Sequence, residues 1–147
     1  MDEPDAALGV QIGGQMYLAH RYARAATNRA LQEHGVELRH LGVLGQIAEA
    51  GPMSQRELID RLQVDKSSMV HIVDELERQG LAERHRNERD RRSYTVHITT
   101  AGEERLKEAQ ASTAKVMTRL LKPLSAADRR QLQDLLARFI DNAARQE

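Results

Sequence analysis

The chain has 147 residues, a length typical of one domain, and its 22 basic side chains are balanced by 22 acidic ones. A neutral protein can meet a nucleic acid through a local basic patch rather than through its overall charge. The absence of cysteine excludes disulfides, thiolate metal sites and thiol chemistry. No segment has the roughly 18 apolar residues of a membrane span, and the acidic start MDEPDAALGV does not resemble a signal peptide. We therefore expect a cytoplasmic protein with no membrane partner.

The first third of the chain predicts two helices after a short tail. Residues 1–7 carry acids and a proline without a period, and we expect a loose tail there. From Leu8 to about His34, apolar residues recur every three or four positions, which is the helical period, and Gly35 supplies a stop. A second helix is expected over 38–50, where a Gly-Pro pair ends it.

Two short helices joined by a tight turn are expected next. Ser54 stands three residues before Glu57 at the head of an apolar run, which is the pattern of a capping box and predicts a helix over 54–62. After a turn at 63–64, an aspartate precedes a second helical pattern over 65–79. Such a pair is typical of a helix-turn-helix, whose second helix enters the major groove of DNA.

A β-hairpin with a basic tip is expected after this pair. The runs 81–86 and 93–98 are short, and the second is rich in β-branched and aromatic residues. Between them, residues 84–92 read RHRNERDRR, with five arginines against two acids. A charge run is usually a solvated loop. Here it lies where the wing of a winged helix-turn-helix would meet phosphates, which favours a DNA contact.

Two further helices complete the predicted fold. One is capped by Thr99 or Thr100 and runs to about residue 121, and the other opens at Ser125 with leucines and a phenylalanine at helical spacing. The predicted fold is mainly α with a small β-hairpin. It is a winged helix-turn-helix over 38–99, flanked by dimerisation helices over 8–37 and 100–147.

The candidate DNA-binding residues are polar or basic groups at the heads of the two short helices and at the hairpin tip. Short hydroxyls, amides and basic groups donate to phosphates and base edges. The alternative is that the serines merely fill the first turn of a solvated helix. The candidates are Ser54, Gln55, Lys66, Ser67, Ser68, His71, Arg84, Arg86, Arg89, Asp90, Arg91 and Arg92.

The hairpin residues also resemble a known family. The stretch from Asp90 to Gly102, DRRSYTVHITTAG, is similar to the D-x-R-x5-L-T-x-x-G signature of the multiple antibiotic resistance regulator (MarR) family, with Ile98 where leucine is usual. The resemblance extends over nearly the whole chain in order and spacing. It implies a homodimeric transcription regulator, usually a repressor, that a small aromatic or phenolic ligand releases from a palindromic operator.

The resemblance also assigns roles at the tip. It implies that Arg92 enters the minor groove or holds its phosphates and that Asp90 orients the guanidinium, which agrees with the preference of arginine for a narrow, negatively charged groove. Thr99 and Gly102 are expected to be structural, one as a cap and the other as close packing against the hairpin. His71 stands near a point where arginine is often found, so the preferred operator stays open.

The terminal helices carry more apolar surface than the winged unit can cover, so we expect them to pair about a two-fold axis in a homodimer. The alternative is that they fold back as a bundle within one chain. The predicted interface residues are Leu8, Ile12, Leu132, Leu135, Leu136, Phe139 and Ile140.

A small aromatic or weakly polar effector is a further expected partner. The first helix places a thioether, a phenol, an imidazole and a guanidinium within about one and a half turns. The alternative is that these residues are core, dimer seam and solvated surface. The candidate ligand-binding residues are Met16, Tyr17, His20, Arg21, His40 and Leu44.

Three other classes of function were weighed. Six histidines allow a metal-responsive regulator, but no pair is spaced i, i+4 and no H-E-x-x-H is present, so we expect no metal site and no cofactor. No nucleophile elbow or glycine-rich phosphate loop indicates an enzyme. A winged-helix module that binds another protein would differ from a DNA-binding one in salt dependence, because only DNA binding releases counterions.

Overall fold

The computed structural model describes residues 3–146, and within that range the chain forms six α-helices, a short 3-10 helix and a three-stranded antiparallel sheet. The elements follow the predicted order. They are α1 (Glu3–Leu31), a 3-10 turn (Gln32–His34), α2 (Leu38–Ala50), β1 (Met53–Ser54), α3 (Gln55–Leu62), α4 (Lys66–Arg78), β2 (Ala82–Arg86), β3 (Tyr94–Ile98), α5 (Thr100–Leu120) and α6 (Ala126–Ala144).

The first helix begins earlier than the sequence pattern predicts. Of the expected tail, residues 3–7 are helical, and only residues 1 and 2 lie outside the described residues. The prediction of a loose tail over 3–7 is therefore wrong. Proline is well tolerated in the first turn of a helix, where its missing N–H has no partner to lose, and Pro4 lies there. Asp5 adds a negative charge near the positive end of the helix dipole.

Local signals set the other helix boundaries. Gly35 has a φ of 67°, a left-handed conformation that glycine adopts without strain, and it ends the 3-10 turn after α1 as predicted. Ser54 accepts a hydrogen bond from the Glu57 amide at 3.1 Å, and the Glu57 carboxylate accepts one from the Ser54 amide at 2.8 Å. This reciprocal capping box confirms the predicted start of α3.

The sheet contains one strand that the sequence pattern did not reveal. β3 lies in the middle, with β2 on one side and β1 on the other. β1 has only two residues, Met53 and Ser54, which pair with Val96 and Thr95. A two-residue strand is too short to show alternating apolar and polar residues. The sequence around Ser54 therefore indicated only the start of a helix.

The core lies where α2, α3 and α4 pack against the sheet. Each large aliphatic side chain buried there contributes roughly 1.5–3 kcal/mol by leaving water, so this cluster holds the winged unit together. The fully buried large residues are Leu31, Val43, Leu44, Ile47, Leu58, Met69, Ile72, Val73, Leu76, Leu81 and Val96.

The terminal helices differ in how much they bury within the chain. The second half of α1 packs against α5, and Ala26, Leu31, Ala109 and Val116 are buried there. α6 has no buried residue. The alternative of a bundle within one chain therefore holds for α1 with α5 but not for α6.

The start of α5 is held against the hairpin by a close backbone approach. The Thr99 hydroxyl donates to the Gly80 carbonyl at 2.6 Å and accepts from the Gly102 amide at 3.0 Å. A Cβ atom at Gly102 would overlap the carbonyl oxygen of Leu81 and lie 2.8 Å from Cγ1 of Ile98. Both structural roles predicted for Thr99 and Gly102 are thus confirmed.

This packing predicts that Gly102→Ala destabilises the fold. Because the obstructing atom is backbone, the hairpin or α5 must shift, and we expect a loss of about 1–3 kcal/mol in the free energy of unfolding. Urea denaturation followed by circular dichroism measures it. The matched control is Gly45→Ala, since nothing lies within 4 Å of a Cβ at that position in α2. Equal urea midpoints for Gly102→Ala and wild type would contradict the close approach.

Candidate nucleic-acid interface

The helix-turn-helix is formed by α3, a tight turn and α4. Gln63 takes a left-handed conformation with a φ of 52°, which reverses the chain between the two helices. Asp65 caps α4 by accepting from the Ser68 amide at 2.8 Å and from the Ser68 hydroxyl at 2.7 Å. These hydrogen bonds lower the pKa of Asp65, so the cap is ionised at neutral pH.

The N-terminal part of α4 presents a short polar surface. Lys66, Ser67 and His71 are exposed there. Ser68 is half-buried, and its hydroxyl is already used in the cap. Three of the four candidates on this helix are therefore free to meet a groove, while Ser68 serves mainly to start the helix.

Both candidates at the head of α3 have partners within the chain. The Ser54 hydroxyl caps the helix, and the Gln55 side-chain oxygen accepts from Nε of Arg84 at 2.9 Å. Their side chains are half-buried. Ser54 and Gln55 therefore help to position the helix pair. The contact between Gln55 and Arg84 could not be predicted from the sequence, because 29 positions separate the two residues.

Arg84 does not belong to the exposed basic tip, and its prediction as a DNA contact is wrong because its guanidinium is already paired within the chain. Its side chain is only 20% exposed, and its guanidinium lies 2.6 Å from a carboxylate oxygen of Asp74 and 3.6 Å from one of Glu77. The Glu77 carboxylate also accepts from the Arg84 backbone amide at 3.0 Å. Arg84 therefore fastens β2 to α4. Asp74 and Glu77 read in the sequence as ordinary solvated acids of a helix, so their pairing with Arg84 could not be predicted.

The turn between β2 and β3 places Arg92 at its tip. The side chain of Arg92 is 93% exposed. Oδ1 of Asp90 accepts a hydrogen bond from the backbone amide of Arg92 at 3.1 Å and another from Nε of Arg92 at 3.3 Å. Asp90 thus orients a guanidinium whose two terminal nitrogens stay turned to solvent, the geometry that the sequence resemblance implied.

The remaining arginines of the tip are also exposed. Arg86 lies over the ring of Tyr94, with 5.7 Å between the guanidinium carbon and the ring centre, and it donates to the Tyr94 hydroxyl at 3.4 Å. Arg89 and Arg91 are exposed on the turn itself. Arginines that outnumber the acids make this tip a local positive surface on a neutral chain.

The candidate effector residues do not form a single site. Tyr17, His20 and Arg21 line one open cleft of about 420 Å³ on α1, which also reaches Glu37. Met16 is half-buried on the same helix and does not line it. The structure thus brings Tyr17, His20 and Arg21 to one cleft, and their role in ligand binding stays a prediction.

Two other candidates for that site are buried elsewhere. Leu44 is fully buried in the core, so its prediction as a ligand-binding residue is wrong. His40 is 4% exposed and lies apart from the cleft on α1. Its Nδ1 accepts from the Glu37 amide at 2.9 Å. Burial, and then the neighbouring Arg39 charge, lower the pKa of His40.

The predicted dimer residues form two exposed apolar faces. One lies on α6, where Phe139 is 53% exposed, and the other lies on α1. Three further large apolar side chains of α1, Val10, Leu18 and Tyr22, are also exposed. These three residues lie off the main apolar stripe of α1, so the helical period did not single them out. The predicted residues that are exposed are Leu8, Ile12, Leu132, Leu135, Leu136, Phe139 and Ile140.

No group of three or more histidine and carboxylate side chains is placed to hold a metal ion within residues 3–146. His85 and His97 stack in the hairpin with ring centres 4.1 Å apart. No helix in this range is long and apolar enough to cross a membrane.

Comparison with known proteins agrees with this geometry. The sequence profile of the MarR family matches residues 34–93. Over 126 residues the chain is 33% identical to a protein named as the candidate transcriptional regulator of the hcr operon in Thauera aromatica, a match that covers 86% of this chain and 74% of that protein. It is 26% identical over 118 residues to the helix-turn-helix transcriptional repressor MdtR of Bacillus subtilis, covering 80% and 76%.

The fold is shared with solved members of the same family. The crystal structure of a MarR-family transcriptional regulator from Rhodococcus sp. RHA1 matches with a TM-score of 0.77 at 27% identity, over 88% of this chain and 93% of that one. The helix pair, the hairpin and the long terminal helices are elements of this shared fold. The chain therefore belongs to the MarR family of DNA-binding transcriptional regulators.

Proposed function

We propose that the protein is a repressor that binds a pseudo-palindromic DNA operator as a homodimer and responds to a small effector. The observation that carries the DNA-binding part is Arg92, exposed at the tip of the hairpin and oriented by Asp90. A guanidinium held in this way suits a narrow minor groove, where the negative potential is strongest. Arg86, Arg89 and Arg91 add phosphate contacts beside it.

The α4 helix supplies base readout in this proposal. Lys66 and Ser67 lie at its exposed N-terminal end and His71 one turn further on, which is the part of a recognition helix that reaches base edges in the major groove. Lysine donates to guanine, and a serine hydroxyl can donate or accept. The wing then fixes orientation and α4 supplies sequence preference.

A second copy of the chain is the proposed occupant of the exposed apolar faces. Large apolar side chains on these faces are 37% to 60% exposed, and α6 buries none of its side chains within the chain, which favours a partner that covers them. A two-fold pairing brings the same faces of two copies together. It also sets two recognition helices about one DNA turn apart, roughly 34 Å, which matches a palindromic site.

Repression and the response to an effector are the most specific parts of the proposal. A relative that the chain resembles over 80% of its length is named a transcriptional repressor. The cleft lined by Tyr17, His20 and Arg21 lies on α1, next to the proposed dimer seam. A ligand there would favour one spacing of the recognition helices, and by linkage it must bind the DNA complex more weakly by the factor by which it lowers DNA affinity.

The DNA-binding proposal predicts that Arg92→Ala weakens binding to a duplex selected from a random pool by the wild-type protein. We expect a loss of about 1–3 kcal/mol, because one oriented groove contact is removed. Fluorescence anisotropy at several salt concentrations measures it, and loss of a phosphate contact also reduces the salt slope by about one. Arg119→Ala, which removes the same charge from α5, is the control. Equal affinities for Arg92→Ala and wild type would contradict the role of the wing.

The dimer proposal predicts that Leu136→Asp produces a monomer. A carboxylate placed in the apolar face of α6 would be buried without a partner, a cost that the interface cannot offset. Sedimentation velocity at micromolar concentration measures the species present. Ala137→Asp adds the same charge about 100° around α6 from Leu136, outside the row formed by Leu132, Leu136 and Phe139, and should leave the dimer intact. A wild-type protein that sediments as a monomer would end the proposal.

A further inference from the structure

A polar junction joins the end of α4 to two other helices. Gln79 directly follows α4, and its side-chain nitrogen donates to the Gly35 carbonyl at 2.8 Å, just after the 3-10 turn that follows α1. The side-chain oxygen of Gln79 accepts from Nη1 of Arg105 on α5 at 3.2 Å. Nη1 of Arg105 also donates to the His34 carbonyl. Both ends of the Gln79 amide are therefore used, and they connect the end of α4 to the end of α1 and to the first part of α5.

The apolar packing of α4 does not supply this connection directly. α4 packs against α2, α3 and β2, whereas α1 packs against α5, and within residues 3–146 no comparable packing joins α4 to α1 or α5. α2 contacts both α4 and α5, but apolar contact has no preferred direction. Hydrogen bonds weaken steeply when their angles are distorted. The junction is therefore the direct and directional contact that holds the angle of α4 against the two long helices.

The space at the junction is closely filled. A Cβ atom added at Gly35 would lie 3.2 Å from the side-chain oxygen of Gln79 and 3.7 Å from Nη1 of Arg105. Arg105 is half-buried, and its guanidinium donates to two uncharged oxygens. A hydrogen bond from a charged donor is stronger than one between neutral groups, and the planar guanidinium is preorganised where an ammonium is flexible. The Arg105 guanidinium therefore sets the position of the Gln79 amide.

A small change of angle at this junction becomes a large displacement at the other end of α4. The helix has 13 residues and is therefore about 20 Å long. A rotation of about 10° at its C-terminal end would move its N-terminal end by about 3 Å, which is close to the rise of one base pair, about 3.4 Å. In a dimer, the junction would thus control the distance between the two recognition helices.

We propose that Arg105 and Gln79 are positioning residues that set the angle of α4 against α1 and α5, and so determine which spacing between operator half-sites the dimer accepts. The proposal rests on the dimeric DNA binding argued above and adds a determinant of specificity that touches no DNA. Lys66, Ser67 and His71 choose the bases within each half-site, whereas Arg105 and Gln79 choose the distance between the two half-sites.

The test compares operators that differ only in spacing. The wild-type protein selects an operator from a random pool, and two further duplexes carry one base pair more or one fewer between its half-sites. Fluorescence anisotropy gives the affinity for each duplex. We expect the wild type to prefer the selected spacing at least tenfold. Gln79→Met and Arg105→Met keep an unbranched side chain but lose the hydrogen bonds, and each should reduce that preference to threefold or less.

Ser112→Ala is the matched control. The Ser112 hydroxyl and Nε2 of His34 form a hydrogen bond of 2.8 Å that also ties the end of α1 to α5 but does not involve α4. Ser112→Ala should therefore keep the wild-type spacing preference. Because the readout is a ratio of affinities for one protein sample, a uniform loss of folded protein or of positive charge cancels from it.

Two results would overturn the proposal. One is an unchanged spacing preference in Gln79→Met and Arg105→Met, and the other is an equal loss of preference in Ser112→Ala. Circular dichroism checks the fold of each variant. If one variant fails to fold, the other decides, and Gln79→Asn, whose amide is one methylene closer to the backbone, replaces them if both fail. A sharp wild-type preference that survives in the variants contradicts this junction alone, whereas a wild type that binds no paired operator contradicts the proposed function.

Discussion

The position of the recognition helix depends on one polar junction. Arg105 of α5 donates to the His34 carbonyl at the end of α1 and to the side-chain oxygen of Gln79 at 3.2 Å. The amide nitrogen of Gln79 donates in turn to the Gly35 carbonyl. Three distant segments therefore meet at the end of α4. A shift of the long helices would therefore act on α4, the helix that we propose reads DNA, and would link the spacing of the proposed dimer to DNA affinity.

A second set of contacts makes the wing and the recognition helix one unit. Arg84 joins β2 to Asp74 and Glu77 of α4 and to Gln55 of α3. Arg84 itself is only 20% exposed, whereas Asp74 and Glu77 are about half-exposed, so solvent screens these ion pairs in part. Because the Arg84 guanidinium is paired within the chain, the exposed arginines of the tip are the ones that we propose contact DNA. In that proposal the wing would move together with α4.

Local patterns predicted most of the fold, and long-range packing decided what they missed. Capping residues such as Ser54 act on amides within a few positions, so a short window of sequence reveals them. The contacts of Arg84 and the burial of His40 and Leu44 depend on residues brought together by the whole fold. Leu44 shares the spacing of a helix face with ligand candidates, and the spacing alone cannot distinguish the core from a cleft.

The most direct measurement is the distance between the two recognition helices in solution. The chain has no cysteine, so Ser67→Cys can carry a single spin label at the exposed start of α4, and double electron–electron resonance then reports the separation of the labels in the pair. A two-fold dimer poised for a palindromic site predicts one dominant distance near one DNA turn, about 34 Å. A signal without dipolar modulation would show that the chains do not pair and would contradict the dimeric DNA-binding unit.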